Sequence, residues 1–248
     1  MKNKYIFFAV LALFFSACYD EYADKNPDFL LETVFIDNDE RLLYYNAVTN
    51  TQREPCFIEE FDDNSSQFPL RIGTYTKLQA SIVDSKMIIK YLVDKNYIYS
   101  WAIPVEMDKN RNFEMEISLG ISRSDSVPHD FALLHNQTAS NYYIMEYNCE
   151  YEYDSKNEII KTIEKINLWK KIDEWEALKG YDYNAKDFLD SNEFTVLTIR
   201  KIGNKYAIFI NHKLFYIIND KNFSYIPEIT VDGRVVNVFD YFRVYYLP

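Results

Sequence analysis

From about Arg53 onward the chain is a succession of short alternating segments separated by turn residues, and that pattern limits what it can fold into. Phe57, Glu59 and Phe61 alternate with Ile58 and Glu60. Lys77–Val83 and Lys86–Val93 flank an Asp84-Ser85 turn, and Tyr97–Ile103 follows Asp94-Lys95-Asn96. In Phe113–Ile121, Phe113, Met115, Ile117 and Leu119 fall on one face, with Glu114, Glu116 and Ser118 on the other. Phe131–Leu134, Tyr142–Tyr151, Glu158–Leu168, Glu193–Lys201, Tyr206–Ile210, Lys213–Ile218, Ile226–Val231 and Val235–Tyr246 continue the series. No helical pattern is long enough for a βαβ crossover. Many short strands joined by turns predict an all-β sandwich or barrel.

One segment departs from the alternation. In LWKKIDEWEALK, from Leu168 to Lys179, the residues Leu168, Ile172 and Trp175 have helical spacing, with Leu178 one turn further and Gly180 as a stop. The spacing predicts a short helix or irregular segment near 168–179. Residues 29–52 hold two weaker strand candidates, Thr33–Ile36 and Arg41–Tyr45, which suggest an N-terminal hairpin extension.

The first seventeen residues read differently. Lys2 and Lys4 precede an apolar run from Tyr5 to Phe15, followed by Ser16, Ala17 and Cys18. A basic start, a short apolar stretch and small residues before a cut site make a signal peptide. The run is shorter than the roughly 20 residues a membrane-spanning helix needs. The Ser16-Ala17-Cys18 ending resembles the lipobox of bacterial lipoproteins. That resemblance implies cleavage before Cys18, lipidation of Cys18, a polar tether over 18–28, and an outer-membrane anchor with the domain at the cell surface.

A net charge of −11 with no basic patch argues against nucleic acid as a partner, because binding it requires phosphate neutralisation. The same acidity argues against adhesion of the polypeptide to anionic lipid, so contact with the membrane is expected through the anchor. Cys56 and Cys149 remain after Cys18. In an oxidising compartment they form either a disulfide or two buried free thiols.

The C-terminal third carries a more specific pattern. FTVLTIRKIGNKYAIFINHKLFYIIND runs from Phe194 to Asp220, and the chain ends FDYFRVYYLP. Upstream, FIEEFDDNSSQFP and FEMEISL complete the set. Together these motifs resemble the concanavalin A-like lectin/glucanase (laminin G-like) jelly roll, over roughly Arg53–Pro248. The resemblance implies an antiparallel two-sheet β-sandwich. Gly203-Asn204 and Asn211-His212 suit tight turns with left-handed geometry. The last strand is apolar on nearly both faces, Phe239, Tyr241, Arg243 and Tyr245 against Phe242, Val244 and Tyr246, which predicts a central strand.

Glucanases of this fold carry an E-x-D-x-x-E strand whose outer glutamates act as nucleophile and acid. The nearest match, Lys171-Ile172-Asp173-Glu174-Trp175-Glu176, has Lys171 at the nucleophile position, so no catalytic residue is assigned. Glu150, Glu152 and Asp154 share one strand face, read as solvated. The scattered His129, His135 and His212 lack metal-ligand spacing. Asp108–Asn112 has half the oxygen spacing of a calcium loop but lacks its Gly and distal Glu, and reads as a turn. No metal or cofactor is expected. Asp125-Ser126-Val127 resembles a bacterial O-glycosylation signal, at Ser126. Tyr97, Tyr99 and Trp101 at period two, with Trp169 and Trp175, are candidate sugar-stacking rings, against the alternative that they fill the core.

Three readings follow. In the first, a surface lipoprotein carries a non-catalytic jelly roll that binds a glycan or another extracellular ligand. In the second, it is a glycoside hydrolase with an unrecognised acid pair. In the third, the sandwich mediates structural or adhesive protein contacts.

Overall fold

A computed structural model describes Leu43 and residues 53–63, 78–91, 98–102, 106–108, 110–123, 128–135, 142–171, 179–189, 193–219, 223–225 and 227–248. The chain divides into two units, Met1–Leu42 and Leu43–Pro248, and the described residues belong to the second. The signal peptide, Cys18, the tether, the Thr33–Ile36 candidate, Tyr97, Ser126 and Trp175 lie outside the described residues. Leu43, the described residue of the Arg41–Tyr45 candidate, is helical and buried rather than extended.

The fold is an antiparallel β-sandwich. Its strands are β1 (Glu54–Glu59), β2 (Leu78–Val83), β3 (Lys86–Tyr91), β4 (Ile98–Ala102), β5 (Phe113–Gly120), β6 (His129–His135) and β7 (Tyr142–Tyr153). They continue with β8 (Ile159–Lys171), β9 (Lys179–Asn184), β10 (Thr195–Ile202), β11 (Lys205–Ile210), β12 (Lys213–Ile218), β13 (Glu228–Asp232) and β14 (Asn237–Tyr246). One sheet runs β12-β11-β10-β5-β14-β3-β2, with β1 also on β14. A second runs β6-β7-β8-β9, and β13 pairs with β4. Side chains join β13 to β6: the Leu133 N–H donates to Thr230 Oγ1 at 2.6 Å and the Asp130 N–H to Asp232 Oδ2 at 2.8 Å.

One core lies between the sheets. Met115, Ile117, Leu197, Ile199, Phe242 and Val244 of the large sheet meet Leu134, Tyr143, Met145, Ile166 and Leu168 of the four-stranded one. Phe223 links them edge-on to Tyr143 of β7 and Tyr206 of β11, with ring centroids 5.5 and 5.2 Å apart. Much of the aromatic content is therefore core packing.

The turns follow the residues. Asp84 and Ser85 (φ 50° and 55°) and Asn211 and His212 (φ 45° and 67°) are left-handed pairs closing two-residue hairpins. At Gly203-Asn204 only the glycine has positive φ, 55°, the pattern of a type II′ turn.

The closing strand is central as its sequence predicts: β14 pairs with β5 on one side and with β3 and β1 on the other. One detail differs. The register shifts between Phe239 and Tyr241, so Phe239 joins Phe242 and Val244 in the core rather than sharing a face with Tyr241.

The helical reading of 168–179 fails at both ends. Leu168–Lys171 complete β8, paired with β7, and Lys179 and Gly180 open β9, a strand not among the sequence candidates. Ile166 and Leu168 are buried at a spacing of two, so extended pairing prevails over the helical spacing that starts at Leu168. Residues 172–178 lie outside the described residues. The disulfide alternative fails as well: Cys56, on β1 of the large sheet, and Cys149, on β7 of the other, are both free.

Candidate functional site

On β7, Tyr143, Met145 and Tyr147 face the core, so Ile144 and Glu146 stand on the outer face of the four-stranded sheet. The same alternation on β8 sends Ile166 and Leu168 inward and Lys165, Asn167 and Trp169 outward. Register then builds two adjoining rows across this face. Glu146 pairs with Asp130 on β6 and with Asn167 on β8, and Asn167 in turn with position 182 of β9. In the next row Ile144 pairs with Leu133 and Trp169. A partly exposed indole thus flanks a transverse row of carboxylate and amide groups.

Asn167 Nδ2 donates to Glu146 Oε1 at 3.2 Å. That bond fixes the amide orientation and leaves Asn167 Oδ1 as a buried acceptor without a partner among the described residues, in a residue only 5% exposed. Asp130 is held from the other side. Arg234 bonds Asp232 through Nε (3.0 and 3.2 Å) and Nη2 (2.9 Å), and its Nη2 also reaches Asp130 Oδ2. Asp232 is fully buried, and its N–H donates to Asn237 Oδ1 at 2.9 Å.

One guanidinium therefore serves two carboxylates, with Glu146 close by. Burial pushes the Asp130 carboxyl up to about 7, against the pull of Arg234 and with the repulsion of Asp232 and Glu146 added. Arg234 itself moves upward, since the bond to Asp232 and the charges of Asp130 and Asp232 outweigh its own desolvation. The two partners shift in the same direction because burial dominates at Asp130. Next to it, burial lowers His129 to about 4; its Nδ1 accepts the Ser122 N–H at 2.8 Å, which requires the neutral ring.

The sequence candidates distribute as follows. Trp169 lies on a strand of this face and not in a loop. Tyr99 and Trp101 occupy β4 positions opposite Val231 and Ile229, both fully buried. Lys171, at the nucleophile position of the degenerate motif, ends β8. Glu150 and Glu152 are solvated and engage Lys165 (3.0 Å) and Lys161 (2.9 Å), while Asp154 Oδ1 accepts two backbone N–H groups of its own turn. The Asp108 carboxylate accepts the Asn110 N–H at 3.0 Å, and Asn112 Oδ1 accepts that of Gly203 at 2.8 Å, so these oxygens serve turns. No group of three or more His, Cys, Asp or Glu is arranged to hold a metal among the described residues. Sequence spacing missed the Asp130–Glu146–Asn167 row because it forms across strands. A single carboxylate inside each of the apolar runs HDFALL and YYIMEY was the available signal.

A second polar constellation lies on the outer face of the large sheet. Arg200 and Glu114, both fully buried, bond across β10 and β5, with Nε to Oε2 at 2.6 Å, and Arg53 reaches the other Glu114 oxygen. Arg243 grips Glu60 with two bonds of 2.7 and 2.8 Å and stacks 3.7 Å over Tyr241. The Glu60 bonds raise Arg243 further above its ordinary range. These charges pair with one another, which marks the ladder as structural, and Arg53 Nε stays without a hydrogen-bond partner among the described residues.

No family model matches the chain, and no curated protein matches it. Solved structures do. One, from work on endo-acting O-glycanases that prominent human gut microbiota members use to initiate mucin breakdown, aligns with a TM-score of 0.50 at 11% identity, covering 79% of this chain and 100% of that one. The GlcNAcα1-4Gal-releasing endo-β-galactosidase of Clostridium perfringens gives 0.47 at 9% identity, over 82% and 65%. The laminarinase catalytic domain of Thermotoga maritima MSB8 gives 0.44 at 11% identity, over 78% and 98%. At such identities the first match speaks to the fold alone, and that fold is a β-sandwich jelly roll.

Proposed function

We propose that the domain binds a glycan on the outer face of the four-stranded sheet, as part of a cell-envelope lipoprotein held to the outer membrane by Cys18. The observation that carries the binding site is the pairing of a partly exposed Trp169 with the Glu146–Asn167 row, in which Asn167 Oδ1 is buried and unpartnered among the described residues. Sugars present C–H faces that stack on an indole and hydroxyls that need buried acceptors. The non-catalytic form is favoured because Asp130, the carboxylate opposite Glu146, is 6% exposed and tied to Arg234. A glycan array probed with the full chain tests the reading. Binding that is lost in Trp169→Ala, with an unchanged melting temperature, supports it; no bound glycan in any class refutes it. The anchor rests on Ser16-Ala17-Cys18, and Cys18→Ala should abolish acyl labelling.

A hydrolase is the second reading, and one observation favours it. Asp130 is raised to about 7 and stands directly opposite a second carboxyl, Glu146, and glycoside hydrolysis uses a carboxyl pair whose acid is raised. Reducing ends released from an array-positive glycan, and lost in Glu146→Gln, would establish this reading over the first.

A further inference from the structure

Resting on the glycan-binding reading, we infer that the subsite over Glu146 and Asn167 accepts an uncharged sugar residue through its hydroxyl or amide N–H donors and rejects sulfated or uronic acid residues. The side-chain atoms that Glu146 and Asn167 leave unbonded among the described residues are acceptors. Asn167 spends its Nδ2 on Glu146, which leaves Oδ1 unpartnered among the described residues. The Glu146 carboxylate takes that one bond among the described residues. The nearby cation, Arg234, spends its Nε and Nη2 on Asp232 and Asp130. Lys165 is engaged by Glu150, and Lys171 lies beyond Trp169 with its Nζ 5.2 Å over the Tyr142 ring. An acid-bearing subsite whose unbonded Glu146 and Asn167 atoms are acceptors must be met by donors, and a ligand anion there would meet the charge of Glu146.

The experiment is a printed array of neutral, uronic-acid-containing and sulfated glycans, probed with the full chain. Hits confined to the neutral class are expected. Hits in the sulfated or uronic class at equal or greater strength overturn the inference while leaving glycan binding intact. No hit in any class overturns the binding reading itself, and the inference with it. For the strongest neutral hit, its affinity is then compared with that of the same glycan bearing one added sulfate. Glu146→Gln should narrow that ratio about three- to thirtyfold, the span expected for one charge removed within several ångströms at surface to half-buried dielectric. Glu152→Gln removes the same charge from the distal hairpin and should leave the ratio unchanged. Equal narrowing by both variants would assign the discrimination to the overall charge of −11 and overturn the local claim.

Discussion

Asp130 on β6 and Glu146 on β7 stand directly opposite each other across the sheet, with Arg234 on the far side of Asp130. Two carboxylates in register repel unless one gives up its charge or finds a cation. Arg234 bonds mainly to Asp232, and burial raises Asp130 to about 7. This arrangement leaves Glu146 facing outward beside Trp169.

The buried groups of this corner give stability a pH signature. Asp130, raised from 3.8 to about 7, holds its proton more tightly in the folded state, so its contribution declines from about pH 4 to pH 7. His129, lowered from 6.5 to about 4, resists protonation in the folded state, so its contribution is lost as pH falls from 6.5 to 4. The two oppose each other between pH 4 and 6.5. Thermal melts should therefore show Asp130→Asn losing stability on acidification more steeply than the parent, and His129→Gln gaining it. Parallel profiles for all three proteins would contradict the assignment.

Arg200 and Glu114 are a buried pair whose separation leaves a charge without its main partner. Arg200→Met should cost about 3–5 kcal/mol in denaturant unfolding, the usual penalty for breaking such a pair. A cost below about 1 kcal/mol would show that Arg53 alone satisfies Glu114.

β14 is hydrogen-bonded on both sides and supplies Phe239, Phe242 and Val244 to the core. A chain ending at Gly233 should fail to fold cooperatively. A soluble fragment of that length with a sharp melt would contradict the central position of the strand.

Period-two alternation was enough to locate most strands, because each buries one face and the core selects every second residue. It located β5 and β10–β12 closely, and the tight turns followed from Asp84-Ser85, Gly203-Asn204 and Asn211-His212. It failed at Leu168, where helical spacing to Ile172 and Trp175 masked the end of β8, and at β9, whose KGYDYN alternates only through Tyr181 and Tyr183. It misplaced Phe239 because a one-residue register shift is invisible to a strict period. The outer face of β5 illustrates another limit. Glu114 and Glu116 alternate like solvated residues yet are buried, a placement that depends on Arg200, Arg53 and Arg243 from distant parts of the chain. The candidate site was illegible for the same reason: Asp130, Glu146, Asn167 and Arg234 meet only once β6, β7, β8 and the turn after β13 are assembled.

The most direct measurement is a crystal structure of the chain soaked with the tightest-binding oligosaccharide from the array. A sugar ring stacked on Trp169 is expected, with hydroxyl or amide donors on Glu146 and Asn167 Oδ1. An oligosaccharide bound elsewhere on the molecule, with the Trp169 face bare, would contradict it.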